Sequence, residues 1–288
     1  MNVLKAASGR RSMASPGCVL RLALLLATGH WPPATLLAQQ PAPQARPPGA
    51  PAPTQVGRTG KATAPVDLTG YWVSVISEDW RWRMVTPLKG DFAGVPVNGD
   101  ARRVGERWNP AQDEAAGAQC KSYGAPAIMR VPGRVHITWQ DDNTLKIETD
   151  SGMQTRLLDF QGAAKEVDTI ASWQGFSSAN WERPPNGVEV PDNFPIFSTR
   201  TGTQGRSLEV VTTHLRPGYL RKNGVPYSAQ TVLDEYFDYH KESNGDEWFT
   251  VTTIVKDPVY LTGPYITSTD FKKERDGSKW DPTPCTAR

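Results

Sequence analysis

Beyond residue 66 the chain alternates apolar and polar positions in short runs broken by turn residues, which is the pattern of β-strands. Thr69-Gly-Tyr-Trp-Val-Ser-Val-Ile76 is rich in aromatic and β-branched residues and predicts a first strand. Trp80-Arg-Trp-Arg83 alternates strictly, which predicts a half-buried strand with both tryptophans on one face and both arginines on the other. Over 134–139, Val135, Ile137 and Trp139 share a face. Asp141-Asp-Asn143 then turns the chain, 144–149 returns, Ser151-Gly152 turns again, and 154–160 runs back. Further strands are predicted at 167–174, 207–215, 230–240, 247–256 and 265–273, with a hairpin at Asn244-Gly245-Asp246.

Helical signals are few. Asn109-Pro-Ala-Gln-Asp-Glu-Ala-Ala116 has a capping Asn, a Pro at the first helical position and good helix formers after it, so one or two short helices are expected between 100 and 124. Prolines 184, 185, 191 and 195 make 177–204 an expected long excursion loop, a kind of segment that more often carries function than filler. The fold class is therefore mainly β: an antiparallel meander closing into a lipocalin-like barrel, or a sandwich, with one or two short helices.

Two segments precede this domain. Residues 1–38 read as a signal peptide: Lys5, Arg10, Arg11 and Arg21, then the apolar run Leu22-Ala-Leu-Leu-Leu-Ala27, then a cleavage point near Ala38. Sec-type export fits better than the twin-arginine route, because Ser12-Met13-Ala14 is a weak continuation of Arg10-Arg11. Residues 39–66 hold seven prolines and no acid, a composition that cannot bury a core and suits an extended linker. The single domain is expected over 67–288.

Charge changes the picture once the leader is set aside. The whole chain is formally +2, but 67–288 hold 25 basic and 30 acidic residues. The apparent basicity belongs to the targeting signal, and no nucleic-acid partner is expected. No apolar run approaches the roughly 20 residues of a membrane helix, so the mature chain is expected to have no transmembrane segment. Cys18 leaves with the leader. Cys120 and Cys285 remain, an even pair suited to a disulfide in an oxidising periplasmic or extracellular space, the alternative being two free thiols.

Gly70-Tyr71-Trp72 resembles the Gly-x-Trp start of lipocalins and other calycins. More widely, Asp67-Leu-Thr-Gly-Tyr-Trp-Val-Ser-Val75, Trp80-Arg-Trp-Arg-Met-Val-Thr-Pro87 and Leu220-Arg-Lys-Asn-Gly-Val-Pro-Tyr-Ser228 resemble a family of secreted bacterial proteins without an assigned activity. The resemblance implies export and a β-rich fold, and carries no activity over.

The sequence lacks the motifs of common hydrolases, phosphate loops and dinucleotide sites. Three histidines remain in the domain, His136, His214 and His240, on different predicted strands; no metal and no cofactor are expected from so scattered a set. Asp238 and His240 lie two apart on one strand face. Glu235 falls between Leu233, Phe237 and Tyr239 on an apolar face, where a carboxylate must be paired or shifted in pKa. It is either a cavity group, a salt-bridge partner of an Arg, or on a strand whose other face is the buried one. The stretch 213–227 gathers His214, Arg216, Tyr219, Arg221, Lys222 and Tyr227. Its arginines would suit an acidic or phenolic ligand, with Trp80, Arg81, Trp82 and Arg83 as a further platform of aromatic walls and cations, unless these are solvated turns and a charged strand face. Two functions follow. One is a barrel that binds a small, partly aromatic or apolar ligand through Arg81, Trp82, Arg216, Tyr219, Arg221 and Tyr227. The other is a lyase, isomerase or hydrolase on the same barrel using His214 or His136 with Glu235 or Asp238 as an acid–base pair.

Overall fold

A computed structural model describes residues 59–162, 170–182 and 207–288. Among these residues, nine strands close a barrel. They are β1 (Gly70–Val75), β2 (Arg134–Asp141), β3 (Thr144–Thr149), β5 (Thr155–Asp159), β6 (Phe176–Trp181), β7 (Ser207–Thr213), β10 (Val232–Lys241), β11 (Glu247–Lys256) and β12 (Tyr265–Lys273). Two small pairs lie outside it: β4 (Ser151–Gly152) with β13 (Thr283–Pro284), and β8 (Gly218–Arg221) with β9 (Val225–Tyr227). Around the ring the order is β1-β12-β11-β10-β7-β6-β5-β3-β2. All neighbours are antiparallel except β5 and β6, which pair in parallel through Leu158 with Ser177 and Asp159 with Ser178. An odd number of strands in a closed ring requires one such pair, because up and down cannot alternate all the way round.

The meander read from the sequence is present, and Asn244-Gly245 turns between β10 and β11, which pair over their full lengths. Three expectations about strands and loops are corrected. Residues 177–181 belong to β6 rather than to an excursion loop, and residue 182 with 183–204 completes that loop, of which 183–204 lie outside the described residues. The strand expected at 167–174 is absent from its described part: 170–174 form only an isolated bridge, Ser172 to Leu215, and 167–169 lie outside the described residues. Trp80–Arg83 is a short helix, α1, not a strand. Asp79 precedes it in the left-handed region (φ 50°) and its carbonyl accepts the amides of Trp82 and Arg83. A local pair, Glu78 with Arg83, and long-range contacts of Asp79 and Arg83 with Arg130 fix this turn, and four alternating residues carry too little local signal to resist them. The two arginines are thereby separated: the Arg81 side chain is 71% exposed and that of Arg83 1%.

Helices α2 (Gly99–Glu106), α3 (Pro110–Ala115) and α4 (Ala125–Ile128) and the 3-10 helix Gln119–Tyr123 exceed the one or two expected. Asn98 and Asn109 cap α2 and α3 through their side chains, Asn109 with Pro110 behind it. These helices and the β8–β9 hairpin seal one end of the barrel through a cluster that includes Phe92, Val97, Leu220, Val225, Tyr227, Leu233, Val255 and Tyr265. Near Asn143, residues 59–68 pack on the barrel. The Gly60 and Lys61 amides donate to Asn143 Oδ1 and the Asp142 carbonyl, Trp181 Nε1 donates to the Gly60 carbonyl, and Val66 packs on the core. The described fold thus starts at least eight residues before Asp67; residues 1–58, where the leader and most of the linker are expected, lie outside it.

Inward positions are filled. Trp72, Phe237, Phe249 and Phe271 stack edge-on and face-on across the interior, with Ile137, Leu145, Ile147, Leu158 and Leu208 around them, all at most 1% exposed. Strand β10 turns Leu233, Glu235 and Phe237 inward and Asp234, Tyr236 and Asp238 outward. Inside, Glu235 meets Arg156 of β5 in a two-pronged pair, Nη1–Oε1 3.0 Å and Nη2–Oε2 2.5 Å, both side chains fully buried. Thr212 accepts a further contact from Arg156 at 3.4 Å and meets Ser177 at 2.8 Å. Of the three readings of Glu235, the salt bridge is the one the structure contains. Removing one partner leaves a buried charge uncompensated, so Glu235→Leu should cost roughly 3–5 kcal/mol in urea unfolding. Pairing it with Arg156→Met should recover most of that loss; a double variant no more stable than the single one would show that the pair is not a closed unit.

Candidate functional site

With the barrel interior packed, space for a ligand lies at the surface, and larger open clefts occur beside Lys61 and Trp139 and beside Val73 and Lys272, but the capped end gathers the most buried charge. A cavity of about 400 Å³ opens there, and none of its lining residues comes from the nine barrel strands. Its walls are the end of α1 with the chain through Pro87, the 3-10 helix at Ser122 and Tyr123, the α4 end from Ala127 to Pro132, β8 with Lys222, Ser151, and the C-terminal tail at Thr283, Pro284 and Thr286. The volume falls in the usual range for small-molecule sites.

The lining carries four cations, Arg83, Arg130, Arg221 and Lys222, and no acid. The three arginines are 6–8% exposed. Arg83 holds Glu78 and donates through Nε to the Arg130 carbonyl at 3.1 Å. Arg130 reaches Asp79 at 2.8 Å. Arg221 donates to the Ala93 carbonyl at 2.7 Å, and its guanidinium lies 5.2 Å from the Trp82 ring centre and 5.9 Å from that of Tyr265. Among the described residues, Arg221 and Lys222 have no carboxylate within 4.0 Å, and Arg83 Nη2, Arg130 Nη1 and Arg221 Nε have no hydrogen-bond partner. Burial lowers the Arg83 pKa, Glu78 opposes that, and Arg130 adds to it. The group stays charged, since a guanidinium titrates far above neutral pH. Tyr123 is 3% exposed, with Lys222 Nζ 4.7 Å from its ring centre. Burial pushes its hydroxyl up, but Lys222 and Thr286 together bring it below the ordinary tyrosine value.

Cys120 and Cys285 form a disulfide, Cα to Cα 5.1 Å, joining the 3-10 helix to the tail across 165 positions. It staples two walls of the cavity, and Gln154 Nε2 lies 3.8 and 3.4 Å from the two sulfurs. A bond of this kind is consistent with a non-cytoplasmic location. No helix among the described residues is long and apolar enough to cross a membrane.

The other residues singled out in the sequence are spread apart. Trp82 lines the cavity and donates to Asp91 at 3.2 Å; Arg81 points to solvent 4.0 Å from the same carboxylate. Tyr219 donates to Asp113 at 2.9 Å, and Tyr227 is fully buried with its hydroxyl unpartnered among the described residues. That hydroxyl sits where Gly124 and Gly218 leave room; a Cβ at either would approach it to 2.2 or 2.6 Å. Arg216 is exposed, stacked over Trp173 at 4.6 Å. His214 follows β7 with positive φ, its Nδ1 2.9 Å from Thr213 Oγ1. His136 stacks on Tyr71 at 4.0 Å beside Glu148 at 3.5 Å, and exposed His240 faces Glu242 at 3.6 Å. Asp238 accepts from Ser207 on the outer face. No His meets Glu235 or Asp238 in the cavity, and no group of three metal-ligating side chains occurs among the described residues.

Arg130 and Tyr123 were not singled out as candidate site residues from the sequence, and Arg83 entered only as part of the Trp80–Arg83 platform. Arg130 carries a usable signal: it is the lone charge in Ala125-Pro-Ala-Ile-Met-Arg-Val-Pro132, a run otherwise fit for a core. Comparison with known proteins returned no matching family model, no matching curated protein and no matching solved structure.

Alkaline titration tests the packing around this end. Burial raises the hydroxyl pKa of both Tyr219 and Tyr227, with Asp113 adding to it at Tyr219. The unfolded chain releases these protons near pH 10, while the folded chain still holds them, so stability must fall as pH rises above about 10. Absorbance at 295 nm should show two tyrosines that ionise only as the protein unfolds; complete ionisation of all tyrosines in the folded state would contradict this burial.

Proposed function

We propose that the protein is an exported binding protein for a small anionic ligand with an apolar or aromatic body, held in the cavity at the capped end of the barrel. The observation that carries this reading is the convergence of three buried guanidiniums and Lys222 on a cavity without a lining acid. Burying charge is costly unless it is matched, and here Glu78 and Asp79 match two of the four cations. A carboxylate, sulfonate or phosphate entering the cavity would complete the set with charge-assisted hydrogen bonds. Met84, Val85, Val131 and Leu220 supply apolar wall for the rest of the molecule. The ligand is thus placed outside the barrel rather than within it, and Arg221 and Trp82 are the sequence candidates that serve it.

A second reading, an enzyme in the same cavity, is favoured by one feature: Tyr123, with Lys222 beside it, is the side chain there best suited to carry a proton.

Anilinonaphthalene sulfonate, an anion with an aromatic body, is a direct probe. Its fluorescence should rise with a stoichiometry of one on the folded protein. Lys222→Met and Arg221→Lys should each weaken it about tenfold, the loss expected for a hydrogen bond to a charged group, with the urea midpoint little changed for Lys222→Met. Equal affinity in both variants would exclude the cavity as the site. Reduction of Cys120–Cys285 should free the tail, weaken the probe, and remove on the order of 5 kcal/mol of stability in the chain-entropy account.

A further inference from the structure

Large apolar side chains on the surface are concentrated beside the cavity. Of the eight that are exposed among the described residues, four fall within residues 80–88: Trp80 at 65%, Met84 at 60%, Val85 at 62% and Leu88 at 77%. Exposed apolar residues scattered singly need no explanation, but four within nine residues form a patch. Met84 and Val85 also line the cavity, so the patch runs into its wall.

The charges around the patch select an occupant. Arg81 is exposed on α1, Lys89 is exposed directly after Leu88, and among the described residues Lys89 has no carboxylate within 4.0 Å. The acids of the same stretch are engaged: Glu78 with Arg83, Asp79 with Arg130, and Asp91 with Trp82 and Arg81. A short segment with a Trp, long apolar side chains and flanking cations has the chemistry of an element that seats its apolar side in the boundary layer of an anionic bilayer. The domain as a whole carries more acid than base, so net charge would not draw it to an anionic surface, and the cations beside these apolar side chains would have to set the contact. We propose that residues 80–89 dock the protein onto an anionic lipid surface, with the mouth of the cationic cavity held against the lipid headgroups.

The docking is separable from the ligand reading, because it needs no molecule in the cavity. Co-sedimentation of the purified protein with phosphatidylcholine vesicles containing phosphatidylglycerol should show binding that falls with added salt and exceeds binding to phosphatidylcholine alone. The double variant Trp80→Asp/Leu88→Asp replaces two exposed side chains, neither of which lines the cavity, so the fold and the cavity should be retained. Its partition should drop by at least about tenfold, given what burying two such side chains contributes. Leu157→Asp, an exposed change on β5 at 45% exposure, should leave partition unchanged. Absence of vesicle binding overturns the proposal even if the sulfonate probe binds. So do equal binding to neutral vesicles, an equal loss in Leu157→Asp, or a dimer in sedimentation velocity that the double variant abolishes, since the patch would then serve a second copy of the chain.

Discussion

The packed barrel interior is the constraint on which the rest of the architecture depends. Four large aromatic side chains and a two-pronged Arg156–Glu235 pair occupy the space that a nine-strand ring encloses. A ring of this size can hold either side chains or a small ligand, and here the side chains take the space. A ligand could enter the interior only by displacing them. One end receives residues 59–68, whose backbone is tied to Asp142 and Asn143. The other receives the short helices, the β8–β9 hairpin and the C-terminal tail, and between these small elements the cavity opens.

A site assembled from short segments needs a means of holding them. Among the described residues no helix in the cap exceeds eight residues, so little of its rigidity comes from helical cooperativity. Ion pairs and a cross-link take that role. Asp79 and Glu78 anchor α1 to the chain after α4 through Arg130 and Arg83, and the disulfide holds the tail to the 3-10 helix. The same arginines that fix the walls supply the positive lining. Structure and electrostatics are coupled in this cavity: a substitution at Arg83 or Arg130 changes both, whereas Lys222 stands at the edge and can be altered with less effect on the fold.

Much of the barrel was legible because strand periodicity is a local property. Val135, Ile137, Leu233 and Phe237 face inward as their spacing requires, and Asn109 with Pro110 opens a helix as the capping pattern predicts. Trp80–Arg83 was not legible: its alternation is real, but partners 47 and 51 residues away decide its conformation. Strand β6 was hidden for a related reason. Phe176-Ser-Ser-Ala-Asn-Trp181 is too polar to read as a strand until β7 pairs beside it over six residues. The candidate site was legible only in part. Arg221 and Trp82 stood out in dense polar stretches, while Arg130 and Arg83 enter the cavity by tertiary contacts that no spacing records.

Glu235 and Arg130 look alike as sequence, each a charge set among apolar residues, and the structure separates them by what surrounds the charge. Both oxygens of Glu235 are taken by Arg156, and the space around the pair is filled by protein. Arg156 does retain an unpartnered Nε, but it faces a packed interior into which nothing can be brought. Arg130 gives one nitrogen to Asp79 and keeps another unpartnered, and it borders a cavity into which a ligand can enter. Closure, not burial, is the property that distinguishes a structural ion pair from a binding group. A closed pair has already offset its desolvation and gains nothing further from an anion. An open one leaves donors whose desolvation is offset only when an anion arrives, and that difference is why the proposed binding site is set at the capped end rather than in the barrel.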